Sequence, residues 1–238
     1  HVKHVNVLSR TEAIEIDRVE KRVRIKDLRS GEERWIAYDK LVLATGAVPI
    51  MPNLGGRDLK NIFTLHGMRD AEGVRLHLLE QKAKDVVIVG GGLIGVEMTE
   101  ALVTRGCRVT IVERDSQILG MLDWEMAHHV ERHMESRGVR IMTNAKAHSF
   151  SGEEFVRAVV TDKGTVPADM VILGVGVRPR VELARSAGLE IGSTGAVKVD
   201  ARMLTSDSDI YAAGDCVECI DMRTDKPCYV PLGSTANK

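Results

Sequence analysis

The 238-residue chain is poor in aromatic residues, in cysteine and in net charge. Aromatic side chains make up only 3% of it, too few for a surface on which nucleic-acid bases stack. A formal net charge of −1 gives no field that would recruit nucleic acid or an anionic membrane. The sequence has no apolar run of about 18 residues, so we predict no membrane-spanning helix.

Four cysteines are too few for a disulfide scaffold, and the chain opens without a secretory signal peptide. Both absences favour a reducing cytoplasm as the location. The remaining composition, 44% hydrophobic and 28% charged residues, is ordinary for a globular protein with one or two domains. Because the chain begins at His1 rather than at methionine, we expect a piece of a longer protein.

Residues 1–46 have the apolar alternation of strands, with a predicted hairpin around the polar turn at residues 29–33. The continuous apolar run from Leu41 to Ala44 predicts a strand that is buried on both faces. Residues 68–82 have the spacing of a helix. Three residues of that helix are predicted to form its inner face: Val74, Leu78 and Leu79.

From Asp85 onward, strands and helices alternate in the order βαβαβ, which predicts a parallel sheet. Two later apolar segments, residues 154–162 and 165–176, flank a polar turn and predict a β-meander. The fold class is therefore α/β, with a Rossmann-like arrangement. The second helix of the alternating region is predicted to carry four residues on one side: Trp124, Ala127, Val130 and Met134.

The most informative motif is GGGLIG at residues 90–95, which has G-x-G-x-x-G spacing and stands between an apolar strand and a helix. The helix, which begins with Leu93 and Ile94, would present unpaired N–H groups and partial positive charge to phosphates. The three glycines permit, in order, a tight turn, close approach of a pyrophosphate and close helix–strand packing. They are Gly90, Gly92 and Gly95.

The next strand ends in Glu113, 23 residues after Gly90, where a carboxylate would hold the adenosine ribose 2′-hydroxyl. Its negative charge would repel the 2′-phosphate of NADP, so we predict that the motif binds NADH. Arg114 could accommodate that phosphate, which keeps NADPH open as an alternative.

Similar strand-end patterns stand outside this region, at Tyr38–Gly46 and at Asp209–Asp215. In this order the motifs resemble those of the FAD-dependent pyridine nucleotide-disulfide oxidoreductases, in which an NAD(P)H-binding domain is inserted into an FAD-binding domain. The resemblance covers nearly the whole chain. It implies a partial FAD-binding domain in residues 1–66 and 178–238 and an NAD(P)H-binding domain in residues 67–177.

The resemblance also assigns cofactor-binding roles. Residues 44–46 resemble the family's motif near the crossover between the two domains, and residues 174–179 resemble its second crossover. Residues 214–215 resemble the family's strand end whose aspartate hydrogen-bonds the FAD ribityl chain. The residues so assigned are Ala44, Thr45, Gly46, Gly174, Gly176, Gly214 and Asp215.

The implied function is passage of hydride from NAD(P)H to FAD and onward to a disulfide, a persulfide or oxygen. The ending Tyr229–Lys238 is most similar to the coenzyme A disulfide reductase and NADH oxidase branch. The family's first G-x-G-x-x-G motif, its redox cysteine and its C-terminal dimerisation domain have no counterpart here, so no catalytic residue is assigned. We expect a catalytically incomplete piece with poor FAD affinity, from a parent that is a homodimer.

The sequence is also compatible with two alternative functions. One is a ferredoxin or rubredoxin reductase-like flavoprotein without a redox cysteine, which the upstream sequence would distinguish. The other is a nicotinamide-binding module without turnover, which would bind NADH while containing no flavin.

Some cysteines and histidines have the spacing of metal or redox groups. Cys216 and Cys219 have redox or zinc spacing, but a second ligand pair is lacking, and packing next to a cofactor explains Cys216 better. His129 and His133 stand four apart on a helix, beside charged residues that indicate a solvated face. We therefore predict no metal site. Glu97, one turn into the nucleotide helix, either faces the nicotinamide or pairs with a surface lysine.

Overall fold

The computed structural model describes residues 5–81 and 83–231. Its strands are β1 (Thr11–Asp17), β2 (Arg22–Asp27), β3 (Glu33–Ala37), β4 (Leu41–Leu43), β5 (Ala47–Pro49), β6 (Ile62–Thr64), β7 (Asp85–Val89), β8 (Arg108–Val112), β9 (Arg140–Met142), β10 (Ala147–Gly152), β11 (Val156–Thr161), β12 (Gly164–Pro167), β13 (Met170–Leu173), β14 (Val177–Pro179), β15 (Val197–Lys198), β16 (Ile210–Ala212), β17 (Val217–Asp221) and β18 (Lys226–Cys228). Its helices are α1 (Met68–Gln81), α2 (Leu93–Val103), α3 (Trp124–Ser136) and α4 (Glu182–Ser186). Of the helices in the described ranges, none is both long enough and apolar enough to cross a membrane.

The chain divides into two compact units. Unit 1 comprises residues 1–48 and 178–238, and unit 2 comprises residues 49–177. This division places the first boundary after residue 48, whereas the family resemblance implies a boundary after residue 66. The reason is β6, which pairs in parallel with β13 and so forms an edge strand of the unit 2 sheet.

Unit 2 is built on a five-stranded parallel sheet with the strand order β6-β13-β7-β8-β9. The βαβαβ succession β7-α2-β8-α3-β9 is present as predicted. Alternate residues of β7 pack on opposite faces of the sheet, because successive side chains of a strand point to opposite sides. Val86 and Ile88 join a cluster with residues of the helices, whereas Val87 and Val89 join a second cluster with residues of β10 and β11.

Strands β10, β11 and β12 form a separate antiparallel sheet, and β11 and β12 pair around the predicted turn. The predicted meander is wrong in its last segment, since Met170–Leu173 belongs to the parallel sheet as β13. All four residues of β13 are buried, a pattern typical of a central parallel strand covered on both faces.

Two predicted inner-face residues are exposed instead. Leu79 of α1 is 63% exposed, because it follows Leu78 and so lies about 100° around the helix from it. Trp124, the first residue of α3, is 62% exposed, and its ring stacks on that of His128 with a centroid separation of 5.3 Å. The other predicted residues of these two faces are buried or pack against the core: Val74, Leu78, Ala127, Val130 and Met134.

Unit 1 contains an antiparallel sheet of β1, β2 and β3, in which β2 and β3 form the predicted hairpin. It also contains a parallel pair, β4 with β16, and a sheet of β15, β17 and β18. The prediction that Leu41–Ala44 is buried on both faces is wrong. Val42 is 60% exposed while Leu43 is buried, because among the described residues no element covers the outer face of β4.

Candidate functional site

A cavity of about 580 Å³ opens at the carboxyl end of the parallel sheet in unit 2. That volume is in the range of small-molecule and cofactor sites, and the carboxyl edge is where open α/β sheets bind their ligands. The segments after four neighbouring strands supply most of its wall. They are Gly90–Gly92, Val112–Asp115, Ala145–Ala147 and Gly174–Gly176.

Close backbone packing explains two of the three glycines in the G-x-G-x-x-G motif. Gly90 has a φ of +110°, and a Cβ at this position would collide with the carbonyl oxygen of Gly174. A Cβ on Gly95 would collide with the carbonyl oxygen of Gly90. The ends of β7 and β13 and the first turn of α2 are therefore in direct backbone contact.

Gly92 is different, because a Cβ there would meet no protein atom within 4 Å. It is the N-cap of α2 and lines the cavity with an extended backbone. The first N–H groups of a helix have no partner within the helix, so this end of α2 can donate to an anion. The space that a side chain would fill is thus open to a phosphate group.

Glu113 is fixed at the cavity wall by two backbone hydrogen bonds. Gly91 donates its N–H to Glu113 Oε2 at 2.6 Å, and Asp115 donates its N–H to Oε1 at 2.8 Å. Gly91 itself is packed closely, because a Cβ there would lie 2.7 Å from Cγ2 of Ile118. Each carboxylate oxygen keeps a further lone pair, so Glu113 can still accept from a ligand hydroxyl.

Two cationic residues lie at the same wall. Arg114 is largely exposed, with its Nε 3.5 Å from Oδ1 of Asp115. Lys146 lines the cavity and forms no ion pair with any residue in the described ranges. The chain brings it there because Ala145 donates its N–H to the carbonyl oxygen of Glu113, at the ends of adjacent strands β8 and β9.

Several cavity residues were not predicted from the sequence, among them Gly91, Asp115 and Lys146. Lys146 could have been predicted from the order of the strands. The carboxyl ends of adjacent parallel strands lie together, so the segment after β9 could have been included in the predicted site. Conversely, three predicted cofactor residues are absent from the cavity wall of the described structure: Leu93, Ile94 and Glu97. Glu97 is exposed and has no ion pair with a described residue, so the structure gives no support for a lysine partner.

Unit 1 brings its predicted residues together at a second strand edge. Strands β4 and β16 are parallel neighbours, so Ala44–Gly46 and Gly214–Asp215 follow them at the same end. Ala213 donates its N–H to the carbonyl oxygen of Leu43 at 2.9 Å, which ties the two segments together. Thr45 Oγ1 donates to the carbonyl oxygen of Arg180 at 2.6 Å.

The glycines of this edge have open surroundings. Gly46 and Gly214 have φ values of +68° and +79°, and a Cβ on either would meet no protein atom within 4 Å. Tyr229 donates its hydroxyl to the carbonyl oxygen of Asp215 at 2.9 Å, and burial raises the pKa of Tyr229 to about 12. The predicted family-like ending continues from Tyr229 into residues 232–238, which lie outside the described residues.

Cys216 is fully buried immediately before β17, and its thiol points to the carbonyl oxygens of Ala213 at 3.3 Å and Leu43 at 3.6 Å. It therefore packs beneath the unit 1 strand edge. His129 and His133 are both exposed on α3. In the described ranges no group of histidine, cysteine, aspartate and glutamate residues is placed to hold a metal ion.

The parallel sheet, the glycine turn and the fixed carboxylate define a Rossmann-like dinucleotide-binding fold. Residues 1–231 match the family described as pyridine nucleotide-disulphide oxidoreductase, and the chain belongs to that family.

The chain is also similar to individual proteins and solved structures. The chain is 38% identical over 235 residues to an NADH oxidase of Methanocaldococcus jannaschii, covering 98% of this chain and 52% of the relative. It is 41% identical over 228 residues to a CoA-dependent NAD(P)H sulfur oxidoreductase of Pyrococcus abyssi, covering 95% and 50%. The solved structure of an NAD-dependent persulfide reductase from A. fulgidus matches with a TM-score of 0.93 and 39% identity, over 99% of this chain and 43% of that one. The chain thus spans about half the length of the curated relatives it matches.

Proposed function

We propose that the chain carries the NAD(P)H-binding domain and part of the FAD-binding domain of a flavin-dependent oxidoreductase. Its parent would reduce a disulfide, a persulfide or oxygen at the expense of NAD(P)H. The observation that carries the proposal is the position of Glu113, whose carboxylate accepts a hydrogen bond from the Gly91 N–H at the cavity wall. Gly92 lines the same cavity, and its backbone leaves room for a phosphate group. The names of the relatives support the class of acceptor.

Within the unit 2 cavity, different residues bind different parts of the nicotinamide dinucleotide. Gly92 and the N-terminus of α2 receive the pyrophosphate, because N–H groups and the helix dipole favour an anion there. Glu113 accepts a hydrogen bond from the adenosine ribose, and its fixed rotamer means that little side-chain entropy is lost on binding. NADH is the favoured nucleotide because the carboxylate repels a 2′-phosphate.

The unit 1 strand edge fits the role of an FAD contact. A bound flavin would supply the electron-accepting ring that nicotinamide reduces, and protein groups orient it and exclude water. Gly46 and Gly214 leave the backbone open to close approach, and Asp215 offers a carboxylate for a ribityl hydroxyl. The hydrogen bonds from Ala213 to Leu43 and from Tyr229 to Asp215 hold this edge in position.

The location and assembly of the parent are also proposals. We place it in the cytoplasm, where thiols are kept reduced, since only four cysteines occur in 238 residues. The homodimer is proposed from the family resemblance. Sedimentation of a longer protein that includes the C-terminal part tests it, and a monomer at micromolar concentration would contradict it.

The function is tested by absorbance spectroscopy of the purified chain, with and without added FAD, followed by titration with NADH. We expect saturable NADH binding, measured by quenching of protein fluorescence from the two tryptophans or by calorimetry. Glu100→Ala, an exposed substitution on α2 outside the cavity wall, is the matched control. Absence of NADH and NADPH binding in a folded chain would remove the proposal.

The flavin part of the test separates the open alternatives. Bound flavin that is bleached anaerobically by NADH would show a complete hydride path within this chain. NADH binding without flavin would show an active nicotinamide domain only, and the acceptor would then be sought with a longer protein. There, turnover with disulfide, persulfide or oxygen supports the proposal, whereas turnover with a rubredoxin or ferredoxin alone replaces it.

A further inference from the structure

The fold groups the cysteines differently from the sequence. Cys216 and Cys219 are the pair with redox spacing, but Cys216 precedes β17 and its thiol points to two backbone carbonyl oxygens. Cys219 lies within β17, which pairs antiparallel with β18. In that pairing, Cys219 stands directly opposite Cys228.

Directly opposed residues of an antiparallel pair carry their side chains on the same face of the sheet. Their Cα atoms are about 4.5 or 5.5 Å apart, depending on the type of pair. Both separations fall inside the range of about 4.4–6.8 Å found across disulfide bonds. The Cβ atoms of opposed residues, about 4.5–5.5 Å apart, would need to approach by at most about 1 Å to reach disulfide geometry.

The hairpin that carries the two cysteines is short and well defined. Four residues, 222–225, connect β17 to β18, and Asp225 donates its N–H to the carbonyl oxygen of Asp221 at 2.8 Å. Asp225 has a φ of +51°, so the turn conformation is specific. The opposed register of the cysteines is thus fixed by the turn as well as by the ladder.

The two thiols differ in their access to solvent. Cys219 is 7% exposed, whereas Cys228 is half-buried. A small molecule in solution therefore reaches the sulfur of Cys228 first. Cys219, adjacent to it across the ladder, is placed to react with a sulfur already bonded to Cys228.

We propose that Cys219 and Cys228 form a cross-strand dithiol that exchanges with small-molecule disulfides. The Cys228 thiolate attacks one sulfur of R–S–S–R, whose S–S bond breaks, and the first R–S⁻ leaves and takes up the proton released from Cys228. The Cys219 thiolate then attacks Cys228 Sγ, the mixed disulfide breaks, and the second R–S⁻ takes up the proton from Cys219. The balance is one R–S–S–R and two thiols giving two R–SH and one Cys219–Cys228 disulfide.

This reaction is separate from the proposed hydride chemistry, since it uses neither nicotinamide nor flavin. It has a structural consequence in unit 1, because Tyr229 directly follows Cys228 and donates to the carbonyl oxygen of Asp215. The cross-link would tie this segment to β17 by a covalent bond. The state of the dithiol is thereby coupled to the strand edge that contains Gly214 and Asp215.

The test uses the reduced, purified chain and oxidised glutathione as the disulfide. Thiols are counted with a chromogenic reagent after denaturation, and alkylated protein is mapped by mass spectrometry. We expect two of the four thiols to be lost, no glutathione to be retained, and a linked peptide pair containing Cys219 and Cys228. Dithiothreitol should restore all four thiols.

Variants assign the order of the two steps. Cys219→Ser should retain one glutathione on Cys228, because the second attack is removed, whereas Cys228→Ser should leave Cys219 unmodified. Cys107→Ser, outside unit 1, is the control and should lose two thiols as the unaltered chain does. Four unreacted thiols in the unaltered chain, a linkage through Cys216, or glutathione retained by the unaltered chain would each overturn the proposal, and none of these readings depends on a variant folding.

Discussion

The backbone N–H of Gly91 donates to Oε2 of Glu113 at 2.6 Å, across the ends of adjacent strands β7 and β8. This bond joins the glycine turn to the carboxylate. A charge-assisted hydrogen bond of this kind is stronger than a neutral one and holds Glu113 in one position. The glycine turn and the acidic residue of the motif are therefore one preorganised unit.

The first prediction concerns Glu113. Replacing it with alanine should weaken NADH binding by about 1.5–3 kcal/mol, or roughly 10- to 150-fold, because a hydrogen bond to a charged group is lost. The NADH affinity of Glu113→Gln should lie between those of the unaltered chain and Glu113→Ala, since the amide oxygen can still accept a hydrogen bond while the charge is removed. Calorimetric titration gives the affinities, and thermal unfolding reports whether the turn survives. Unchanged NADH affinity in Glu113→Ala would take this residue out of the binding site.

The second prediction separates the structural glycine from the ligand-facing glycine. Gly90→Ala should destabilise the protein by about 1–3 kcal/mol from its backbone conformation alone, with the collision against Gly174 adding to this. Gly92→Ala should change stability by less than about 1 kcal/mol, since its backbone is extended and only its N-cap preference changes.

For Gly92→Ala, the expected loss of NADH affinity is larger than the expected change in stability. The methyl group of Gly92→Ala would occupy the phosphate side of the cavity, so NADH affinity should fall at least about tenfold, or about 1.4 kcal/mol. Urea unfolding and NADH titration of the two variants provide the check. If Gly92→Ala binds NADH normally, the pyrophosphate does not approach at this position.

Much of unit 2 could be predicted because its signals are local. The run at residues 86–89 and the glycines after it fix a strand, a turn and a helix within about ten residues of sequence. The position of Glu113 then follows from the length of one helical crossover. By contrast, β6 was not predicted as part of this sheet, since its partner β13 lies more than one hundred residues away in sequence.

Long-range placement also explains the errors in burial. Val42 lies in an apolar run that predicts a fully covered strand, yet the covering of one face depends on which other segments are present, and sequence pattern does not contain that information. Trp124 is apolar and periodic with the inner face of α3, but at the first position of the helix it stacks on His128 instead. Lys146 was missed because only the pairing of β9 beside β8 brings it to Glu113.

The third prediction concerns the choice between NADH and NADPH. Arg114 and Lys146 lie at the wall that contains Glu113, so each can meet a 2′-phosphate in partly exposed surroundings. Alanine at either position should lower NADPH affinity by about 0.5–1 kcal/mol, roughly two- to fivefold, and leave NADH affinity within twofold. Titration of both nucleotides gives the comparison, with Lys60→Ala, which is exposed outside the cavity, as the matched control. Equal losses for NADH and NADPH would show a general rather than a phosphate-specific role.

The fourth prediction is a pH dependence at the other end of the unit 1 strands. Hydrogen bonds from Lys21 and Lys40 lower the pKa of Asp209 to about 2 from its ordinary value of 3.8. Lys40 Nζ is 2.5 Å from Oδ1 and Lys21 Nζ is 2.6 Å from Oδ2. Because the folded-state pKa is the lower one, the ion pairs add stability above the unfolded value, and this contribution is lost as the pH falls through about 4 towards 2.

Asp209→Asn should therefore be less stable than the unaltered chain at neutral pH, and the difference should shrink on acidification until it closes near pH 2. Urea midpoints across this range, with high salt as a second variable, measure the difference. Salt should reduce it at neutral pH, because exposed charges are screened. Asp58→Asn, at a carboxylate whose side chain is 96% exposed, should show no comparable difference at any pH. A stability difference between Asp209→Asn and the unaltered chain that is as large in acid as at neutral pH would contradict a role of the Asp209 charge.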